Sequence, residues 1–442
     1  MDGLYGQDGY EYIRYSISLK EYLKNGTPPG DYFWPVNYPF TGALISFIIP
    51  DIGFCLQLIS SISLSLVIIY TYKTCKLIFP SLQINILLLI ILLVTPFMVR
   101  FGITIMSDMF MLSLIIIGVY HILKYAIEKT TIHLLFGAIL LVMAVMSRYA
   151  AIVIAIPLVI YGFITAIRQK EKWFWFLIIP IVALIPFIPH LIIRGENSVN
   201  FIRHEWFKTW SPLNFFSRKS ESVDGIIEYQ LPNMVYAFLG LFHPRYLFLT
   251  GVLILAGFRK FKLNKKSIIL ATSVFIYLVF LAGINYQNNR FLLLALPFTF
   301  IIFYPTIQHS LSFFGTKLIT VFTLGVAVIQ ICLAVFSFKV VWNRNQLEKE
   351  VYEYVLINNT PIYTMDIDVA LIGRGYSSPI YNIWKNYYES PDTNAIVIFN
   401  SKIFPEQWGG KKPMQNWNHF NNDYHLTEIH DFNSEWKVYA FK

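Results

Sequence analysis

Charge and cysteine are what this chain has little of. Only 14% of its 442 residues are charged and three are cysteine. Cys55, Cys75 and Cys332 fall in or beside apolar runs without metal-ligand spacing, so neither a disulfide framework nor a thiolate metal site is implied. No Gly-rich phosphate loop, Ser-His-Asp order or Cys-X-X-Cys pair occurs. Their absence argues against nucleotide-driven pumping and against hydrolase chemistry. The first 40 residues also lack the run of a signal peptide.

What is present is apolar. At 56% hydrophobic residues and a mean hydropathy of +0.53, the chain is too apolar for a soluble globular protein of this size. Runs long enough to cross about 30 Å of hydrocarbon recur near 54–72, 83–98, 107–124, 132–147, 149–167, 173–193, 233–257, 267–284, 291–306 and 317–340. They predict a polytopic α-helical membrane protein of roughly ten spans. In a soluble protein a net charge of +9 would suggest nucleic acid, but here much of it lies in short loops between spans. No nucleic-acid partner is expected; membrane lipids are.

The loop charges set a topology. Lys73 and Lys76, Lys124 and Lys129, Arg168, Lys170 and Lys172, then Arg259 to Lys266 follow alternate spans, and Lys317 opens the last. By the positive-inside rule these loops are cytoplasmic, so 1–50, 195–232 and 343–442 face outward. An outward N-terminus without a leader implies a helix upstream of Met1 or translocation of a short tail; the upstream helix is the expectation.

Three outer-loop features carry candidate chemistry. Asp8 sits in Tyr5-Gly6-Gln7-Asp8-Gly9-Tyr10-Glu11-Tyr12, where a carboxylate at the mouth of the bundle could meet a lipid-linked substrate and a water-side acceptor. Residues 10–24 mix Tyr12, Tyr15, Ile17, Leu19, Tyr22 and Leu23 with Arg14, Lys20, Glu21 and Lys24, the pattern of an interfacial amphipathic helix. Asn25 to Gly30 ends it by turn chemistry, and 40–50 predicts a second interfacial helix. Arg100, Arg148 and Arg290 stand at outward span boundaries, where positive-inside bias disfavours them. They could grip a phosphate, or snorkel to headgroups.

The motif order resembles the GT-C glycosyltransferases, integral membrane enzymes that take sugars from polyprenyl-phosphate donors. The branch most similar is the bacterial one related to protein mannosyltransferases and the lipid A aminoarabinose transferase. The resemblance rests on Gln7-Asp8-Gly9-Tyr10-Glu11-Tyr12, Trp34-Pro35-Val36-Asn37-Tyr38-Pro39, Ser107-Asp108-Met109, Ser147-Arg148-Tyr149 and Gln287-Asn288-Asn289-Arg290-Phe291, spread over about residues 1–310. It implies a bacterial inner-membrane enzyme whose active site faces the periplasm, with Asp8 as catalytic base and Glu11 as the alternative. Asp108, Tyr10, Tyr149 and Gln287 would line the site, and Arg148, Arg290 and Arg100 would bind donor phosphate. Transfer from a polyprenyl-phosphate sugar donor to an extracytoplasmic acceptor would proceed with inversion. Related enzymes differ in metal dependence, so a divalent metal stays open. Read without the resemblance, Asp8 is an N-cap for a helix from Gly9, and Ser107-Asp108 caps the span that follows.

Two further regions complete the reading. Within 195–232, Arg203-His204-Glu205-Trp206-Phe207-Lys208-Thr209-Trp210 and Tyr229-Gln230 suit a folded interfacial lid. His204, His190 and His243 lack a second ligand at metal spacing. Beyond 342 the chain turns polar, with a helix over 345–357 and strands at 361–364, 395–399 and 436–441, which predicts a small outer α/β domain. Its Trp384, Trp408, Trp417 and Trp436 read as core, and Asp366 and Asp368 as a strand-end loop. Two other classes compete: a lipid-linked sugar flippase, disfavoured because the spans show no mid-helix charge, and a polysaccharide polymerase or ligase. Neither sugar nor acceptor is legible.

Overall fold

The computed structural model describes residues 3–82, 84–198, 208–222, 225–433 and 435–442. Helix α1 (Gly6–Asn25) turns Tyr10, Tyr12, Tyr15, Ser16 and Leu19 inward and ends at Gly26, whose φ of 73° is left-handed. It starts earlier than expected. Tyr5 is the N-cap residue and offers no side-chain cap, so Asp8 lies inside the first turn rather than capping a helix from Gly9. A carboxylate is still favoured there by the helix dipole. Helix α2 (Asn37–Ile45) is tied to α1 by Ser16 Oγ, which donates to the Pro39 carbonyl at 3.0 Å.

Membrane-length helices follow. Helix α3 (Ile52–Ile78) is capped by Asp51, which accepts from the Phe54 amide. Next come α4 (Ile86–Leu93), α5 (Pro96–Ile103), α6 (Ser107–Glu128), α7 (Thr131–Val145) and α8 (Ala151–Arg168). Among the described residues six helices are long and apolar enough to cross a bilayer: α3, α6, α8, Trp175–Ser198, Lys265–Gly283 and Lys317–Asn358. The α4–α5 pair, bent by 77°, makes up to seven. The protein is an integral membrane protein.

Ten continuous spans were expected, and the difference has local causes. The run at 83–98 breaks where Thr95 caps the Met98 amide and Pro96 occupies the first turn of α5, since proline starts a helix better than it continues one. The run at 132–147 is the 15-residue α7. The run at 233–257 is split into helices Asn233–Leu239 and Phe248–Gly257 around Pro244, and that at 291–306 opens as a 3-10 turn before the Leu296–Ser312 helix. Apolar composition does not report whether the backbone is continuous.

The last membrane-length helix, Thr316–Asn358, has 43 residues and passes unbroken through the boundary expected at 342. It reaches about 65 Å at 1.5 Å per residue. Beyond it lies a five-stranded sheet of order β4-β3-β5-β7-β6. Strands β3 (Ile362–Thr364), β5 (Ile396–Asn400) and β7 (Trp436–Ala440) fall on the expected segments; β4 (Ile380–Asn382) and β6 (Thr427–Asp431) do not. Strand β3 pairs in parallel with β4 and β5, while β7 pairs antiparallel with β5 and β6. Phe399 of β5 stacks on Trp417 at 4.0 Å, and Trp408 and Trp436 are buried, whereas Trp384 is exposed. The hairpin β1 (Lys219–Ser222) and β2 (Gly225–Glu228) leans on this domain through Lys411 Nζ, which donates to the Ser222 carbonyl at 2.6 Å.

Small residues permit the closest helix approach. A Cβ on Gly257 would lie 2.5 Å from the Thr306 carbonyl oxygen, a backbone atom that cannot swing aside. Gly257→Ala is therefore expected to destabilise the bundle by about 1–3 kcal/mol, read as a lower unfolding midpoint in detergent; an unchanged midpoint would refute the contact.

Candidate active site

Four charged side chains from four distant segments meet at one end of the bundle. Asp8 comes from the first turn of α1, Asp108 from the first turn of α6, Arg148 from the turn before α8, and Arg290 from the 3-10 turn Asn289–Leu294. Arg290 Nη1 donates to Asp8 Oδ2 at 2.6 Å, and its Nε lies 3.6 Å from Asp108 Oδ1. Arg148 Nη1 donates to that same Asp108 oxygen at 2.6 Å. Asp108 is 2% exposed and Asp8 22%, so Asp8 is the carboxylate that solvent reaches.

The array is neutral in sum, two acids against two bases, which is how an apolar bundle tolerates buried charge. Burial opposes the charge on Arg290, but Asp108 and then Asp8 outweigh it and raise the pKa of the guanidinium. Arg148 also lies over the Phe291 ring, 5.4 Å from its centroid. Tyr12, one turn on from Asp8, shares a 2.7 Å hydrogen bond with Ser107 Oγ and so joins α1 to the start of α6. Burial first, and the Asp8 charge second, push the Tyr12 phenol up and keep it protonated.

The other expected residues stand elsewhere. Glu11 pairs with Arg14 at 2.6 Å. Tyr10 points to the C-terminal domain, where its hydroxyl donates to Glu348 Oε2 at 2.8 Å. Tyr149 meets His190 edge-on at 6.0 Å between ring centroids, and Gln287 Nε2 donates to the Leu231 carbonyl and to Asn233 Oδ1. Asp108 does not cap its helix, because Met106 occupies the N-cap position and the carboxylate is taken by Arg148. Arg100 is buried, its guanidinium 4.4 Å from the Tyr5 ring centroid. Residues 203–207, including His204, lie outside the described residues. Among the described residues no group of three or more His, Cys, Asp or Glu has an arrangement that could hold a metal ion.

Sequence reasoning passed over Arg245. Its guanidinium lies 5.7 Å from the Phe97 ring, on which Arg100 also rests at 5.8 Å. The signal was there: Arg245 falls in the middle of the run expected to span at 233–257, contrary to the reading that the spans carry no mid-helix charge.

A family model described as dolichyl-phosphate-mannose-protein mannosyltransferase matches residues 35–193. The crystal structure of ArnT from Cupriavidus metallidurans in the apo state superposes with a TM-score of 0.57 at 11% identity, covering 99% of this chain and 94% of that one. The same protein bound to undecaprenyl phosphate gives 0.56 at 12% identity over the same shares. The chain shares the fold of ArnT. The family match covers part of the chain, and the superposition covers nearly all of it. No curated protein sequence matches it. The matched segment runs from Pro35 through α8 into the Trp175–Ser198 helix, so it contains Asp108 and Arg148, while Asp8 and Arg290 are brought to them by the fold.

Losing Asp108 takes away the carboxylate partner of Arg148 and leaves Arg290 with Asp8 alone. Asp108→Ala is expected to cost about 3–5 kcal/mol, and Asp108→Ala with Arg148→Ala less than the two singles summed, both read from unfolding midpoints in detergent. Additive losses would show that the pair is not coupled.

Proposed function

We propose that the protein transfers a sugar from a polyprenyl-phosphate-linked donor to an acceptor hydroxyl on the extracytoplasmic side of the membrane, with inversion. The observation that carries the reading is Asp8: a solvent-reached carboxylate held by Arg290 at the end of a bundle with a glycosyltransferase fold. As the acceptor oxygen attacks the anomeric carbon its proton passes to Asp8. The bond from that carbon to phosphate breaks, and the electron pair leaves on the phosphate oxygen. Little acid assistance is needed, because the leaving group is a phosphate.

Arg148 and Arg290 are engaged by carboxylates, which aligns the acids but spends their charge. Arg100 and Arg245 enter no ion pair among the described residues. Arg100 lies beneath Tyr5, three residues before Asp8, and its helix α5 packs on the 3-10 turn that bears Arg290. These two arginines are the cations we assign to the donor phosphate, with Arg290 orienting the base. The relative bound to undecaprenyl phosphate supports a lipid-phosphate donor.

Helix polarity supports this orientation. Helices α6 and α8 start at the charged array and end at Lys124 and Lys129, and at Arg168, Lys170 and Lys172. The opposite end of the bundle is thus the basic one, and positive-inside bias assigns it to the cytoplasm.

Membranes carrying the protein should release polyprenyl phosphate from a labelled lipid-phosphate sugar. Asp8→Asn should lower that release by about 10²-fold or more, whereas Arg100→Gln and Arg245→Gln should raise the donor KM about tenfold. Turnover that survives Asp8→Asn would sink the base assignment, and lipid-linked sugar crossing the membrane without turnover would mark a flippase.

A further inference from the structure

Glu348 is a carboxylate with no exposed surface, placed on the part of the Thr316–Asn358 helix that rises beyond its apolar stretch. Its Oε2 accepts from the Tyr10 hydroxyl at 2.8 Å, and its Oε1 accepts from Arg344 Nε at 2.7 Å. Arg374 Nη2 lies 3.9 Å from Oε2, and the same guanidinium sits 5.5 Å from the Tyr10 ring centroid. Arg344 continues into the C-terminal domain, donating from Nη1 to Asp366 Oδ2 at 3.0 Å and from Nη2 to the Asp366 carbonyl at 3.1 Å. Gly373 closes the pocket; a Cβ there would collide with the Tyr10 ring. One buried acid therefore joins three bodies: α1, the last membrane helix and the C-terminal domain.

The geometry on α1 gives this junction its meaning. At 100° per residue Tyr10 lies about 200° round the helix from Asp8, while Tyr12 lies only about 40° away. Tyr12 fastens the Asp8 face to α6 through Ser107, and Tyr10 fastens the opposite face to Glu348. Two hydrogen bonds on opposed faces fix the rotation of α1 about its axis. Apolar packing alone would tolerate a few degrees of roll, which would carry the Asp8 carboxylate away from Arg290 and from a bound acceptor. Burying an acid is costly, and replacing such a network with apolar residues is often neutral or stabilising. Its use here is geometric.

We propose that Glu348 is a positioning residue: through Tyr10 it sets the roll of α1, so that docking of the C-terminal domain holds Asp8 in its reactive geometry. This rests on the reading of Asp8 as base. The tether acts on the orientation of the base and not on donor affinity, so kcat and KM should separate.

Tyr10→Phe keeps the ring and its packing but removes the hydroxyl. In the full-length enzyme it is expected to lower kcat about tenfold with the donor KM within about twofold, at an unfolding midpoint close to the parent's. Glu348→Gln should lower kcat likewise, at a lower midpoint because Arg344 and Arg374 lose their charged partner, and the double variant should have a kcat per folded molecule no lower than the slower single, since both cut one linkage. A midpoint loss with kcat per folded molecule unchanged, a risen KM at unchanged kcat, or additive losses in the double variant would each overturn the tether. Asp8→Asn measured alongside separates the two levels. If it retains turnover, the base assignment fails and the tether with it; if it is inactive while Tyr10→Phe keeps kcat within twofold, only the tether fails.

Discussion

Two carboxylates and two guanidinium groups gathered at one end of an apolar bundle, with Asp108 buried among them, constrain the segments around them. None of the four is tolerable there alone, because an isolated charge in a low-dielectric surrounding costs several kcal/mol. Asp108, at 2% exposure, accepts from Arg148 and faces Arg290, and Arg290 reaches on to Asp8. The first turn of α1, the first turn of α6, the turn before α8 and the 3-10 turn at 289–294 must therefore converge on one point. A helix as polar as α1, unsuited to crossing a bilayer, is held at the bundle by that requirement and by Tyr12.

The same end of the bundle is where the backbone departs from regular helix, and side-chain hydroxyls and amides compensate for it. A carbonyl released from a helix inside a membrane protein needs another donor. The Tyr236 hydroxyl donates to the Asn288 carbonyl at 2.5 Å, Tyr246 to that of Asn289, and Tyr277 to that of Phe291 at 2.9 Å, while Asn233 Nδ2 serves Ile284 at 2.9 Å. These four donors satisfy carbonyls of the irregular 284–291 segment, which bears Arg290. The three tyrosines are fully or almost fully buried, and burial pushes the phenol of Tyr236, which lies outside the long spans, well up, so it remains a donor. These three tyrosines brace an irregular backbone.

How much of this was legible depends on the range of the interaction. The amphipathic helix ending at Gly26, the apolar runs over α3, α6 and α8, the strands at 362–364, 396–400 and 436–440, and the basic far ends of the spans all follow from periodicity, caps and composition, which act within a turn or two. The runs at 83–98 and 233–257 misled because Pro96 and Pro244 break helices that composition alone would continue. Strand β6 was missed because its residues are exposed and polar, held by pairing with β7 and not by an apolar face. Arg148 and Arg290 could be singled out as cations on the unexpected side, but nothing local reveals that their partners are Asp108 and Asp8, 40 and 282 residues away.

The sequence by itself determined that this chain enters a membrane, which end of its bundle is basic, and that an acid in the first polar segment stands apart from the apolar runs. Those properties are sums over single residues and their near neighbours. Only the tertiary structure decided that Asp8 is held by Arg290, that Arg100 and Arg245 share one aromatic ring, and that Tyr10 turns away from the site to Glu348. Ion pairs, ring contacts and opposed hydrogen bonds exist only once distant segments have been packed to within a few ångströms.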